Sequence, residues 1–321
     1  MRVIPRTSIR AWCSRALAQA RRPFALRGQR HHHLHVMAAA VTVALSACAT
    51  PGPVITENVG AIRSGVVAAK QQAEASFAAA NQVSREQAIA RKIRHSETIL
   101  RETDFPLAVP IESARDWSGA FDILDQYGAA LQSLVDPKRA QETSSALGAL
   151  GQSLNSPNIN AKIPSSLTAV FQTLGQALVQ AHAERRATSV MRATDVAFND
   201  VVGQMATAIG KPAEPGSLSN TVASQWNNSV LPLLENEYAS LSPSDQDARR
   251  GVIEAYVKAM AERDRQIADL VLLQQSLLAL GEAHSAAAKG RPGDALFWIG
   301  RINGWADDVR KRLNDGKEDS Q

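Results

Sequence analysis

The amino-acid sequence predicts an all-α protein: an elongated antiparallel bundle of about six to seven helices, some of them about 45 residues long. Three observations carry that expectation. Beyond residue 48 the chain is rich in alanine, leucine, glutamine, arginine and glutamate, which lose little side-chain freedom in a helix. Apolar residues recur at spacings of three, four and seven, the period of one helical face, and no useful length alternates as a strand does. Proline, glycine and capping residues interrupt these stretches at a few sharp places.

The elements follow in chain order. Residues 48–55, with Pro51-Gly52-Pro53, read as a linker, and residues 56–313 as the bundle. The first helical stretch, Thr56 to Asp104, carries Val59, Ile62, Val66, Ala73, Phe77, Ala80, Ile89, Ile93 and Leu100 on one stripe. Ser84-Arg-Glu-Gln87 has the form of a capping box, which would divide it in two. Pro106 and Pro110 stop it, because each disfavours helical geometry in the residue before it.

A helix is then expected from Ile111 to Val135, and Asp136-Pro137 caps another reaching about Leu154. After a loop at 155–164, one long helix is expected from Ser165 to Ile209. Gly210 to Gly216 breaks it, and Pro232 should kink or split the helix from about Ser219 to Ala239. Ser242-Pro-Ser-Asp245 starts a helix to about Lys289 whose centre, Ile267 to Leu280, is apolar enough to be the most buried of the bundle. Gly290-Arg-Pro-Gly293 ends it, Asp294 caps the last helix, and residues 314–321 form a disordered polar tail.

The N-terminus has a different character. Residues 1–47 hold eight arginines and no acid, and a 12-residue apolar run from Val36 to Ala47 ends at Leu45-Ser46-Ala47-Cys48. Basic residues, an apolar core and small residues at a processing point are the layout of a secretory signal peptide. The run falls short of the roughly 20 residues a spanning helix needs. Its end resembles the lipobox of bacterial lipoproteins. That resemblance implies a diacylglyceryl group on the Cys48 sulfur, removal of residues 1–47 and acylation of the new amine. Ala49, where an aspartate would favour the inner membrane, implies the periplasmic face of the outer membrane. Arg21-Arg22-Pro23-Phe24 resembles a twin-arginine export signal but stands far from the apolar core, so the ordinary secretory route is expected.

Removing the leader reverses the charge. The full chain has 35 basic and 31 acidic residues, net +4; without eight arginines, 27 basic residues face the same 31 acids, net −4. The basic character belongs to the leader, so nucleic-acid binding is not expected. Cys13 and the His31-His32-His33-Leu34-His35 cluster leave with it. Cys48 is then the only thiol, and neither a disulfide nor a cysteine metal site can form within the bundle.

The remaining residues carry no familiar chemistry. His95, His182 and His284 fit no metal motif and are expected as surface or partly buried helix residues. Neither Gly-x-Ser-x-Gly, Ser-x-x-Lys nor Gly-x-Gly occurs. Asp122/Asp125 and Asp307/Asp308 read as solvated helix faces, and Trp117, Phe121 and Tyr127 as core. No catalytic residue, cofactor or metal is therefore expected. The last helix spaces Trp298, Ile302, Trp305, Val309 and Leu313 along one face. That stripe either packs on the bundle or docks a partner, since tryptophan is enriched in binding hot spots.

The expectation is a lipid-anchored periplasmic bundle with a structural or protein-interaction role in the cell envelope. Its partners are the membrane, through the anchor, and other envelope proteins or peptidoglycan. The other reading is a ligand-binding protein or enzyme with a pocket between helices.

Overall fold

The structure is a computed structural model that describes residues 53–94, 99–135, 140–182, 184 and 186–318. Those residues form an all-α bundle of eight helices. They are α1 (Pro53–Arg94), α2 (Ile111–Ser133), α3 (Ala140–Leu154), α4 (Thr168–Ala181), α5 (Ala187–Ile209), α6, α7 (Gln246–Ala288) and α8 (Pro292–Glu318). Helix α6 comprises Leu218–Gln225, a π turn Trp226–Val230 and Leu231–Ser240. Proline 232 has no N–H for the backbone ladder, and the π turn just before it absorbs the fault without ending the helix.

The 43-residue α7, about 65 Å long at 1.5 Å per residue, is the spine. Helices α1, α5, α6 and α8 pack along it. Helix α5 covers its C-terminal half, where Asn199 bonds to Ser285. Helix α6 covers the N-terminal half, where Trp226 donates to Gln266 and Tyr256 to Glu235. Both run antiparallel to it. Helices α1 and α2 are antiparallel too, clamped by Arg63–Asp125 at 2.8 Å and Lys70–Asp122 at 2.6 Å. These partly exposed pairs fix register more than stability, being worth about 1 kcal/mol or less each. Asp122 and Asp125 therefore do more than face solvent.

The core runs continuously through Val59, Ile62, Val66, Phe77, Phe121, Phe171, Phe198, Leu273, Leu277 and Ile302. Burying each such side chain contributes roughly 1.5–3 kcal/mol. Trp117, Phe121 and Tyr127 are buried in it, as their spacing predicts. Leu270, Leu273, Leu277 and Leu280 are buried as well, although Leu278 is 51% exposed, so the centre of α7 keeps one open face.

Several boundaries differ from expectation. The stretch 165–209 is two helices, because α4 packs on α3 whereas α5 packs on α7, and the chain must turn between them. Arg186 is extended there (φ −124°, ψ 128°), and Ser144 of α3 donates to the His182 carbonyl that a continuous helix would use. Conversely α1 runs unbroken through Ser84, whose hydroxyl donates to Pro106 O rather than capping a helix. Helix α1 begins at Pro53, inside the expected linker, and ends at Arg94; Ile89, Ile93 and Leu100 are exposed, so its buried stripe stops earlier than expected. Helix α8 starts at Pro292, with Asp294 in its first turn instead of at the cap, and continues to Glu318. Asp245 does cap α7, accepting the Ala248 N–H at 3.2 Å. The leader, Cys48, His95 and the Asp136-Pro137 cap lie outside the described residues.

Candidate functional site

A buried polar cluster lies in the core, where α2, α5 and α7 meet. Tyr127, Thr194 and His284 are each fully buried. Tyr127 Oη stands 2.7 Å from His284 Nε2 and 2.7 Å from Thr194 Oγ1, and His284 Nδ1 stands 3.0 Å from Asp195 Oδ1. Because Asp195 is acceptor-only when ionised, Nδ1 carries the imidazole proton and Nε2 accepts from the Tyr127 hydroxyl. Asp195 also accepts from Ser285 Oγ at 2.8 Å and from Asn199 Nδ2 at 3.1 Å. The chain thus runs from a half-buried carboxylate to a phenol at the centre of the bundle.

Packing holds the imidazole in place. Phe198 stacks on it with centroids 4.2 Å apart and planes 13° from parallel, and Tyr127 leans against both rings. Helix α7 approaches α5 closely because residue 281 is glycine: a methyl group there would stand 2.5 Å from Asn199 Oδ1. His284 is therefore fully buried, and not the surface or partly buried residue expected of it. It is the junction of three helices.

Burial and hydrogen bonding set the protonation states. Desolvation pushes the His284 value below the ordinary histidine range, so the buried imidazole is neutral, and burial raises the Tyr127 phenol. The hydrogen bond from His284 holds Asp195 below the usual carboxylate range, helped by Ser285. The consequence for stability has a definite sign. Above about pH 6.5, the ordinary histidine value, neither folded nor unfolded chain binds the proton. Below it the unfolded chain takes up a proton that the buried ring refuses, so folding stability falls as the pH drops toward the lowered folded value. Asp195 loses its contribution only below about pH 4. The urea midpoint is expected to fall between pH 7 and 5, and His284→Gln to flatten that fall. An unchanged slope in the variant would count against the assignment.

The aromatic stripe of α8 divides in two. Ile302 (0% exposed) and Val309 (1%) are core, which removes them from any docking face. Trp298 and Trp305 are half-buried against that core. Two residues the sequence reading passed over complete the surface: Phe297, 58% exposed, and Arg301. The Arg301 guanidinium lies over Trp305, Trp298 and Phe297 at 4.7, 5.6 and 6.0 Å from the ring centroids. The side chain of Leu313 lies outside the described residues.

Elsewhere, an open cleft of about 640 Å³ lies between α2 and α3, walled by Gln126, Ala129, Ser133, Thr143, Ala146 and Leu150. His182 is exposed in the turn after α4, and Asp307 pairs with Arg310 at 2.9 Å. Among the described residues no group of three His, Cys, Asp or Glu side chains is arranged to hold a metal, and no helix is long and apolar enough to cross a membrane.

Fold and site together define an all-α helical bundle in which a Tyr–His–Asp chain, sealed from solvent at the tyrosine and histidine, locks three helices. No protein-family model, curated protein or solved structure matches this chain.

Proposed function

We propose that this protein is a lipid-anchored helical bundle with a structural or protein-interaction role in the bacterial cell envelope, held at the periplasmic face of the outer membrane. The observation that carries the reading is Leu45-Ser46-Ala47-Cys48 at the end of a 12-residue apolar run behind an acid-free, arginine-rich leader. Two features support it. Cys48 precedes the first helix by only five residues, at most about 18 Å of extended chain, so an acylated Cys48 would hold the bundle against the membrane surface. The surface also offers an aromatic patch on α8 suited to contact. Several acyl chains, each contributing about 0.8 kcal/mol per buried CH₂, would anchor the protein far more firmly than one.

The decisive measurement is the mass of the N-terminal peptide of the protein taken from its own membranes. It should begin at Cys48 and carry the acyl groups. Cys48→Ser should lose that modification and be held by membranes less firmly than the wild type, without unfolding. A variant held as firmly as the wild type would place the anchor elsewhere.

A further inference from the structure

We propose that the α8 patch formed by Phe297, Trp298, Arg301 and Trp305 seats on a phospholipid surface, in the boundary between headgroups and acyl chains. The inference rests on the anchored reading above for its geometry and adds to it a second, non-covalent contact.

The position of the patch follows from how α8 lies against α1. Residue 65 of α1 faces Ile299 and Ile302, and Arg310 donates to Gln71 at 3.2 Å. Numbers rise together along both helices, so they run parallel and their first residues, Pro53 and Pro292, lie at the same end of the bundle. Phe297 is five residues into α8, about 7.5 Å along its axis. Cys48 precedes Pro53 by five residues and reaches at most about 18 Å. A membrane holding Cys48 is therefore within reach of the patch. A short tether of this kind keeps that surface at a high effective concentration, which lets a small contact hold.

The chemistry suits the lipid boundary. Phe297 offers an exposed ring, while Trp298 and Trp305 present amphipathic rings backed by the buried Ile299, Ile302 and Ala306. Indole rings favour the layer between apolar chains and water. Arg301 is stacked rather than paired: among the described residues it makes no ion pair or hydrogen bond, so its five N–H donors are left for a phosphodiester while its flat face covers the rings. Arg291 at the same end already engages Asp294 at 3.2 Å, which leaves Arg301 as the cation central to the patch.

The test uses residues 49–321, which lack the leader and Cys48 and contain every residue of the buried core. The protein is mixed with vesicles of phosphatidylethanolamine and phosphatidylglycerol whose acyl chains are brominated. Of the four tryptophans left, Trp117 and Trp226 are buried, so quenching reads Trp298 and Trp305. The protein should float with the vesicles and be quenched, and Phe297→Glu and Arg301→Glu should each lower partitioning at least tenfold with an unchanged Tm. Failure to float, unquenched tryptophans, or flotation indifferent to Phe297→Glu overturns the proposal. So does self-association abolished by Phe297→Glu without flotation, which gives the face to a second copy. Acylation of Cys48 is read independently by peptide mass. Quenching without acylation would sink the anchor and keep this contact; acylation without quenching would do the reverse.

Discussion

His284→Ala is expected to remove about 4 kcal/mol of folding stability. Three costs combine. A ring fully buried and stacked on Phe198 at 4.2 Å is deleted, leaving a cavity that close-packed helices fill only in part. The Tyr127 hydroxyl loses the acceptor 2.7 Å away and keeps only Thr194, a loss of about 1 kcal/mol. Asp195 loses its donor from the core side. For a domain of this size each kcal/mol lowers Tm by roughly 2–4 °C, so a fall of about 10 °C is expected in a thermal melt. Tyr127→Phe keeps the ring but removes the hydroxyl's contact with Thr194 and its bond to His284, and should cost about 1–2 kcal/mol. Because the two residues share that bond, the double variant should lose less than the sum of the single losses. A loss below about 1 kcal/mol for His284→Ala would show that the chain does not lock the three helices.

The second large effect is expected from Gly119→Ala. In an exposed helix this change would stabilise by up to about 1 kcal/mol, since alanine favours the helix. Here the new methyl group would stand 2.0 Å from the carbonyl oxygen of Lys162, a main-chain atom that cannot rotate away. Nor can the segment retreat easily: Ile159 (2% exposed) and Ile163 (0%) pin it on both sides, and Lys162 N bonds to Ile159 O at 2.9 Å. The segment joining α3 to α4 must lift off α2, at a cost of about 3 kcal/mol. Gly251→Ala is the control. Its methyl group meets nothing within 4 Å, so urea unfolding should show a small gain there and a large loss at residue 119. Equal effects at the two sites would contradict the packing described.

The candidate sites differ in how far a reader of the sequence could have found them. Trp298, Ile302, Trp305 and Val309 are visible because they repeat on one helix, but the repeat does not say which of them the bundle covers. Ile302 and Val309 are buried, whereas Phe297 and Arg301, off the stripe, become the exposed face. Tyr127, Asp195 and His284 have no local signature. They stand on three helices, 68 residues or more apart along the chain, and each alone resembles an ordinary helix residue. Only the glycine at 281, which admits Asn199 between α5 and α7, hints at a close crossing.

By itself the sequence determined the helical class, most of the breaks and the inward stripe of each helix. These depend on backbone preferences and a 3.6-residue period, which act within a few turns. Gly210 to Gly216, Asp245 as a cap and the fault at Pro232 all fall where local chemistry puts them. Tertiary structure alone decided whether a helix continued and which polar groups met. The chain turns between α4 and α5 because the two helices serve different neighbours, and α1 passes straight through Ser84 because Pro106 O accepts its hydroxyl proton. The Tyr–His–Asp chain exists only once three helices have packed. Burial keeps the imidazole neutral and its hydrogen bond keeps the Asp195 carboxylate ionised, and both are properties of the assembled core rather than of any stretch of chain.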